Sequence, residues 1–275
     1  MKWLQAFKLA MPKHKYAIDA KALGDMSDLP WSNLGYWNCL DDSYPQACRQ
    51  LADRIAQSIA LSSNDRLLDL GCGQGASILH WKNDYQIEEF SAVDMQPECI
   101  ERLQTVFPEH RELFCQSFLN LNEIPFQSKF DAVVCIDAAY HSLLNSFLTS
   151  VDAVLNSNGR IAFHTLMLTE QFSHLSAQQK FKHRMLLKCA DVNVDALPTY
   201  AHLVERLQGY CFSQIRVEDL SEPVLSGFAS YIIARDQQNV FKGLSGLKIK
   251  MTAKLCKVLY EQGNVRYVQV SARKR

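Results

Sequence analysis

The stretch that most constrains this chain is Leu67-Leu68-Asp69-Leu70-Gly71-Cys72-Gly73-Gln74-Gly75. An apolar run delivers the backbone into a glycine-punctuated turn, and the following ASILHWKND reads as a helix. Glycines take positive φ readily and let a ligand approach the backbone with no Cβ in the way. A strand, a glycine turn and a helix in that order form a binding edge for a nucleotide-like ligand. The loop departs from GxGxxG, because it reads GCGQG with no third glycine at the usual place. Asp69 stands at the strand end on the ligand side, where a carboxylate repels a pyrophosphate and suits a cationic ligand. A glycine turn that binds nothing is the plain alternative.

Around this loop, short β-rich runs alternate with longer amphipathic ones, the pattern of a parallel sheet wrapped by helices. Residues 44–61 place Cys48, Leu51, Ile55 and Ile59 at helical spacing. EFSAVD is expected to be a second strand, and PECIERLQTVF a second helix with Pro97 in its first turn. ELFCQS and FDAVVCID follow as strands and SLLNSFLTSVDAVL as a helix, with Asn158-Gly159 turning into the strand RIAFHTL. YAHLVERLQGY reads as a helix, FSQIRVEDL as a sixth strand and 244–262 as a long helix. VRYVQVSA is expected to be the last strand, antiparallel and at or near an edge.

Residues 168–198 read as a helical insertion over the carboxyl edge of the sheet, where such folds bind ligands. That insertion and its flank hold Met167, Phe172, Leu175, Phe181, Met185, Leu186 and Leu187, which suits a lid over an apolar substrate or ordinary helical packing. One domain over 1–275 is therefore expected: a cap segment 1–43, a cofactor-binding core 44–167, the lid 168–198 and a C-terminal part 199–275.

Asp94 ends the second strand about 20 residues beyond the glycines, where an acid hydrogen-bonds ribose hydroxyls in folds of this type. Capping the next helix is the other role open to it. DLGCGQG followed by VD resembles motif I and its partner acid in class I S-adenosylmethionine-dependent methyltransferases. LGYW at 34–37, IDAAYHS at 136–142, YAHLVERLQGYCFSQIRVEDLS and RYVQVSARKR are similar to segments of the small-molecule members, such as coclaurine N-, tocopherol and sugar O-methyltransferases. The resemblance covers roughly residues 34–275.

It implies an α/β, Rossmann-like, seven-stranded and mostly parallel sheet with helices on both faces. It implies S-adenosyl-L-methionine as cofactor, and a small-molecule or lipid-like acceptor. By the same resemblance Asp69, Gly71, Cys72, Gly73 and Gly75 hold the methionyl part, Asp94 the ribose, and Met95 packs on the adenine. Gln116, Ser117 and Phe118 occupy the adenine-amine segment, with Ser117 where the family usually has an acid. Ile136 and Asp137 end the fourth strand beneath the methionyl group. Tyr36 and Trp37 are placed to close over the sulfonium, as rings attract cations, or else to staple the following helix.

His141, with Tyr140 beside it, is the catalytic candidate. Methyl transfer is an in-line displacement with an excellent leaving group, so alignment carries most of it, and a neutral His near pH 7 helps where a hydroxyl or ammonium must lose a proton. A capping role for His141 is the alternative, and His164 is read as a packed histidine that could still face the pocket. An NAD(P)-dependent oxidoreductase and a cofactor-binding module without catalysis are the competing readings. GCGQG and Asp69 count against the first, and the intact loop with His141 against the second.

Nine scattered cysteines with no CxxC suggest neither a disulfide framework nor a metal site, and fit a reducing cytoplasm. Net charge is zero, yet residues 1–24 and 242–275 are strongly basic around an acidic middle, which argues against a chain-wide nucleic-acid face. IDAAY also lacks the prolines of an NPPY-type segment for amino-group methylation of nucleic acids. No secretory signal or membrane span is expected. Trp3, Leu4, Phe7 and Met11 at helical spacing predict a short amphipathic helix over 1–11. It would pack on the fold, or make a peripheral contact with the anionic inner membrane surface. The oligomeric state is not legible.

Overall fold

The LLDL run forms β1 (Leu67–Leu70), and six further strands follow: β2 (Phe90–Asp94), β3 (Leu113–Cys115), β4 (Phe130–Cys135), β5 (Leu155–Leu168), β6 (Phe212–Asp219) and β7 (Val265–Lys274). They make one sheet in the order β3-β2-β1-β4-β5-β7-β6. The first five strands run parallel, and β7 lies antiparallel to both β5 and β6. The structure is a computed structural model that describes residues 18–275 apart from 40 and 238. The amphipathic stripe expected over 1–11 lies outside the described residues.

Between the strands run α1 (Tyr44–Ser58), α2 (Ala76–Asp84), α3 (Pro97–Val106), α4 (Leu144–Val154), α5 (Glu170–Ser173), α6 (Ala177–Cys189), α7 (Tyr200–Gly209), α8 (Gly227–Asp236) and α9 (Gly243–Gln262). Local chemistry sets their ends. Ser43 caps α1 by accepting from the Gln46 amide. Ser176 and Gln179 form a reciprocal capping box at α6. Gly263, at φ 66°, closes α9 in the left-handed conformation.

Alternation along the central strands splits the core in two. Leu67, Ala132 and Val134 face the layer that includes Leu51 and Ile55 of α1, Trp81 of α2 and Phe228 of α8. Leu68, Leu70, Val133 and Cys135 face Phe147 and Leu148 of α4 and Leu203 and Leu207 of α7. Strands covered on both faces read as near-continuous apolar runs, which is why this part of the sheet was visible in the sequence.

β7 lies near the edge as expected, between β5 and β6, and β6, with its alternating half-exposed pattern, closes the sheet. Two features differ from expectation. β5 begins at Leu155, so Asn158, at φ 63°, bends a continuous strand instead of turning the chain into it. The register shift against β4 between Phe130 and Ala132 absorbs the irregularity. α8 was not anticipated, because a short apolar run does not declare its period. Among the described residues no helix is long and apolar enough to cross a membrane.

Candidate active site

The carboxyl ends of β1, β2 and β4 open into a cavity of about 1020 Å³. The glycine loop reaches it because its backbone takes conformations that side chains resist. Gly71 and Gly75 sit at φ 69° and 93°, and a Cβ on Gly75 would stand 2.5 Å from Leu103 Cδ2. That close approach of loop and α3 gives the third glycine a packing role, and Gly75 itself does not line the cavity.

Asp94 fastens the loop. Its Oδ2 accepts from the Gly73 amide at 2.9 Å and its Oδ1 from the Gln96 amide at 2.9 Å. The carboxylate therefore holds together the β1 loop and the turn after β2. Asp69 lies deeper, with Oδ2 accepting from Trp81 Nε1 at 2.8 Å. Burial pushes its carboxyl up to about 6 against the hydrogen bonds from Trp81 and Ser77, and the Asp94 charge adds to the rise.

At the end of β4, Asp137 adopts φ 55°, a conformation that Asp tolerates better than most side chains. Its Oδ2 accepts from the Leu34 amide at 3.0 Å and its Oδ1 from the Tyr140 hydroxyl at 2.7 Å. Burial raises this carboxyl too, while those two donors pull the other way. His141 ends the one-turn helix Ala139–His141, with Nδ1 3.3 Å from the carbonyl oxygen of Asp191 in the lid.

Asp69, Gly71, Cys72, Gly73, Asp94, Met95, Ser117, Phe118, Ile136, Asp137, Tyr140 and His141 all line this one cavity. Met95 is 63% exposed at its mouth. Gln116 turns away, its Oε1 accepting from the Ser117 amide, and the Ser117 hydroxyl accepts from Leu119.

Tyr36 and Trp37 do not line it. Trp37 stacks on Tyr231 of α8 with ring centroids 4.2 Å apart and donates to the Leu34 carbonyl, and the Arg54 guanidinium sits over the Tyr36 ring. The segment just before them serves instead: Trp31, Ser32, Asn33 and Leu34 form part of the wall, and the Leu34 amide meets Asp137. Nothing in the sequence marks Trp31, Ser32 and Asn33, because their role comes from where the backbone passes.

His164 is fully buried and packed, with Nε2 3.2 Å from Gln269 Oε1, and burial draws it down to about 4. Of the apolar residues expected to roof a substrate, only Leu186 and Leu187 reach the cavity. Phe181 and Met185 are exposed, and Phe172 packs edge-on against His183. The missing wall is α9, which contributes Leu244, Leu247, Met251 and Leu255.

A family model described as a methyltransferase domain matches residues 61–222, more than half of the chain. The 27-O-demethylrifamycin SV methyltransferase of Amycolatopsis mediterranei (strain S699) is 28% identical over 164 residues. That match covers 57% of this chain, which spans 60% of the length of that protein. A mycolic acid cyclopropane synthase solved with SAH and CTAB superposes with a TM-score of 0.70 at 16% identity, covering 89% of this chain and 90% of the other. The geranyl diphosphate C-methyltransferase of Streptomyces coelicolor A3(2), solved with Mg2+, geranyl-S-thiolodiphosphate and S-adenosyl-L-homocysteine, gives 0.70 at 16% identity, covering 93% and 92%. At such identities the two structures speak for the fold. Together with the family match over both β1 and β4, they place the chain: it belongs to the methyltransferase domain family, as a class I member of the S-adenosylmethionine-dependent type.

Proposed function

We propose that this chain transfers a methyl group from S-adenosyl-L-methionine to a small or lipid-like acceptor, with His141 as general base where the acceptor must lose a proton. The observation that carries the reading is the charge of the cavity's loop end. Asp69, Asp94 and Asp137 line it, and the lysines among the described lining residues come from α6 and α9 instead. Three carboxylates gathered at one end disfavour a pyrophosphate and suit a ligand bearing ammonium and sulfonium charges. The backbone fits as well, since side chains on Gly71 and Gly73 would close in on Ala138 and on Ser32 across the loop.

The cofactor, when bound, supplies a methyl group on a sulfonium leaving group. The chain does the rest. Asp69 and the glycine loop hold the methionyl end, Asp94 takes the ribose hydroxyls, and Met95 covers the base. Asp137, pinned by Leu34 and Tyr140, sets the floor beneath the reacting centre. His141 on the rim removes a proton from the acceptor. The buried walls exclude water, so alignment supplies most of the rate.

Two experiments test this. Cell extract incubated with the protein and methyl-labelled cofactor should yield a labelled low-molecular-weight or lipid-soluble product by mass spectrometry. Label confined to protein or nucleic acid would overturn the acceptor class.

The second uses Asp69. Its folded value of about 6 lies above the ordinary carboxylate value, so stability present below about pH 4 is lost as pH rises through about 6. A cation beside the ionised carboxylate reverses that penalty, so affinity moves the opposite way. S-adenosylhomocysteine, which retains the ammonium, should bind up to about fourfold more tightly at pH 7 than at pH 5.5, with proton release at the lower pH. The Asp69→Asn variant should lose that slope, and a wild-type affinity flat across the interval would remove Asp69 from the cation's surroundings.

A further inference from the structure

A cavity of about 1020 Å³ stands at the top of the ~300–1,000 Å³ range that encloses one drug-sized ligand, so it has room for a second molecule beside the cofactor. Away from the glycine loop, its wall includes Leu166 of β5, Leu187 of α6, Leu225, and Leu255 and Leu259 of α9. Tyr267 of β7 sets a hydroxyl among these apolar side chains. It pairs across the ladder with Leu166, so the two side chains stand on one face of the sheet, and both line the cavity.

The backbone of Tyr267 is fixed on both sides: its amide donates to the Ser221 hydroxyl and its carbonyl accepts from the Leu220 amide, each at 2.9 Å. The side chain is fully buried, and its hydroxyl oxygen satisfies no hydrogen bond. Among the described residues it is the one buried side-chain polar atom in that condition that belongs to the cavity wall. Asp137 is near enough for its charge to act on the hydroxyl but is not aligned to satisfy it, and its own oxygens are met by Leu34 and Tyr140. Burial first, and then that charge, hold the Tyr267 hydroxyl well above the ordinary tyrosine value, so it keeps its proton. A phenol both donates one hydrogen bond and accepts. With the proton turned toward Asp137, the oxygen is left to accept from a donor inside the cavity. A buried hydroxyl that meets no partner is costly, and a ligand that brings the missing donor removes that cost.

Resting on the methyl-transfer reading, we infer that the acceptor is a neutral, largely apolar molecule bearing a hydroxyl, and that this hydroxyl donates to the Tyr267 oxygen. The body of the acceptor lies against the leucines, and its hydroxyl stands beside Asp137, at the floor of the reacting centre. Asp137 disfavours an anionic head at that place. A molecule with no donor leaves the phenol unsatisfied, and so a buried polar group between apolar walls discriminates against it.

Three probes test this: 1-octanol, 1-methoxyheptane and octanoate, each titrated by calorimetry within its solubility, with and without S-adenosylhomocysteine. The ether matches the alcohol in size and can accept a hydrogen bond but cannot donate one. The alcohol should bind about fivefold or more tighter than the ether, on the order of one neutral hydrogen bond, and tighter than the carboxylate. Tyr267→Phe, which removes only the hydroxyl, should bring alcohol and ether level while S-adenosylhomocysteine affinity stays within about twofold, a sign that the fold is intact. Met251→Asp, on the exposed part of the α9 wall, should weaken alcohol and ether together and leave their ratio unchanged.

Equal binding of alcohol and ether, tighter binding of octanoate, no binding of any of the three, or an alcohol preference that survives Tyr267→Phe would overturn the proposal. Failure of S-adenosylhomocysteine to bind the wild type would count against the methyl-transfer reading instead, and the hydroxyl preference is still judged on the probes alone.

Discussion

Replacing His141 with alanine should lower label transfer by roughly 10²–10⁴-fold while leaving S-adenosylhomocysteine affinity nearly unchanged, the effect of removing a positioned general base. The imidazole is set up for that role by the carbonyl of Asp191, 3.3 Å from Nδ1. A carbonyl only accepts, so Nδ1 carries the proton in the neutral ring and Nε2 keeps the basic lone pair. That contact also joins the end of β4 to the lid, so His141 is positioned from both sides of the cavity. His141→Gln retains a polar group of similar reach and has no proton-accepting nitrogen, and it should be as slow as alanine. Activity in the glutamine variant within about tenfold of wild type would mean that alignment carries the reaction. The acceptor would then be a neutral amine or a carbon, and His141 a structural tie to the lid.

What the sequence disclosed follows from how local each feature is. The loop at 71–75 and Asp94 act within one strand-turn-helix unit each, so their residues are adjacent in the chain and their pattern survives without the fold. The Gly73–Asp94 hydrogen bond is the tertiary contact that this spacing implies. Trp37 shows the opposite case. An aromatic pair before a helix looks like a ring lid, but what decides its place is Tyr231, far along the chain in a helix that sequence periodicity did not reveal.

The part of the cavity wall formed by α9 was missed for the same reason. The apolar content of 168–198 drew attention to the lid, whereas α9 reads as an ordinary long helix until its neighbours show that one stripe is covered and another lines the cavity. Trp81 belongs here too. Its fully buried ring is expected from any apolar helix face, but its hydrogen bond to Asp69 ties it to the carboxylates at the loop end of the cavity.

Asp94→Ala should weaken S-adenosylhomocysteine binding by about 2–4 kcal/mol, roughly 30- to 1,000-fold, because two losses coincide. The ribose loses a charged acceptor, and the Gly73 and Gln96 amides lose the oxygens that each meets at 2.9 Å. A loosened loop alone could also weaken binding, and the size of the effect does not separate the two causes. A double-mutant cycle does. S-adenosylhomocysteine and an analogue lacking the ribose 2′-hydroxyl are titrated against wild type and Asp94→Ala by calorimetry. If the carboxylate binds the ribose, removing the hydroxyl should matter in the wild type and matter little once Asp94 is gone. A carboxylate accepts up to about four hydrogen bonds, so the Gly73 and Gln96 amides alone do not exhaust it. Asp94→Asn should fall between the two, since it keeps one side-chain oxygen acceptor and loses the charge that strengthens the bond. Should the hydroxyl contribute equally in wild type and Asp94→Ala, the coupling is zero. Asp94 then only fastens the glycine loop to the turn after β2, and the ribose must be held elsewhere.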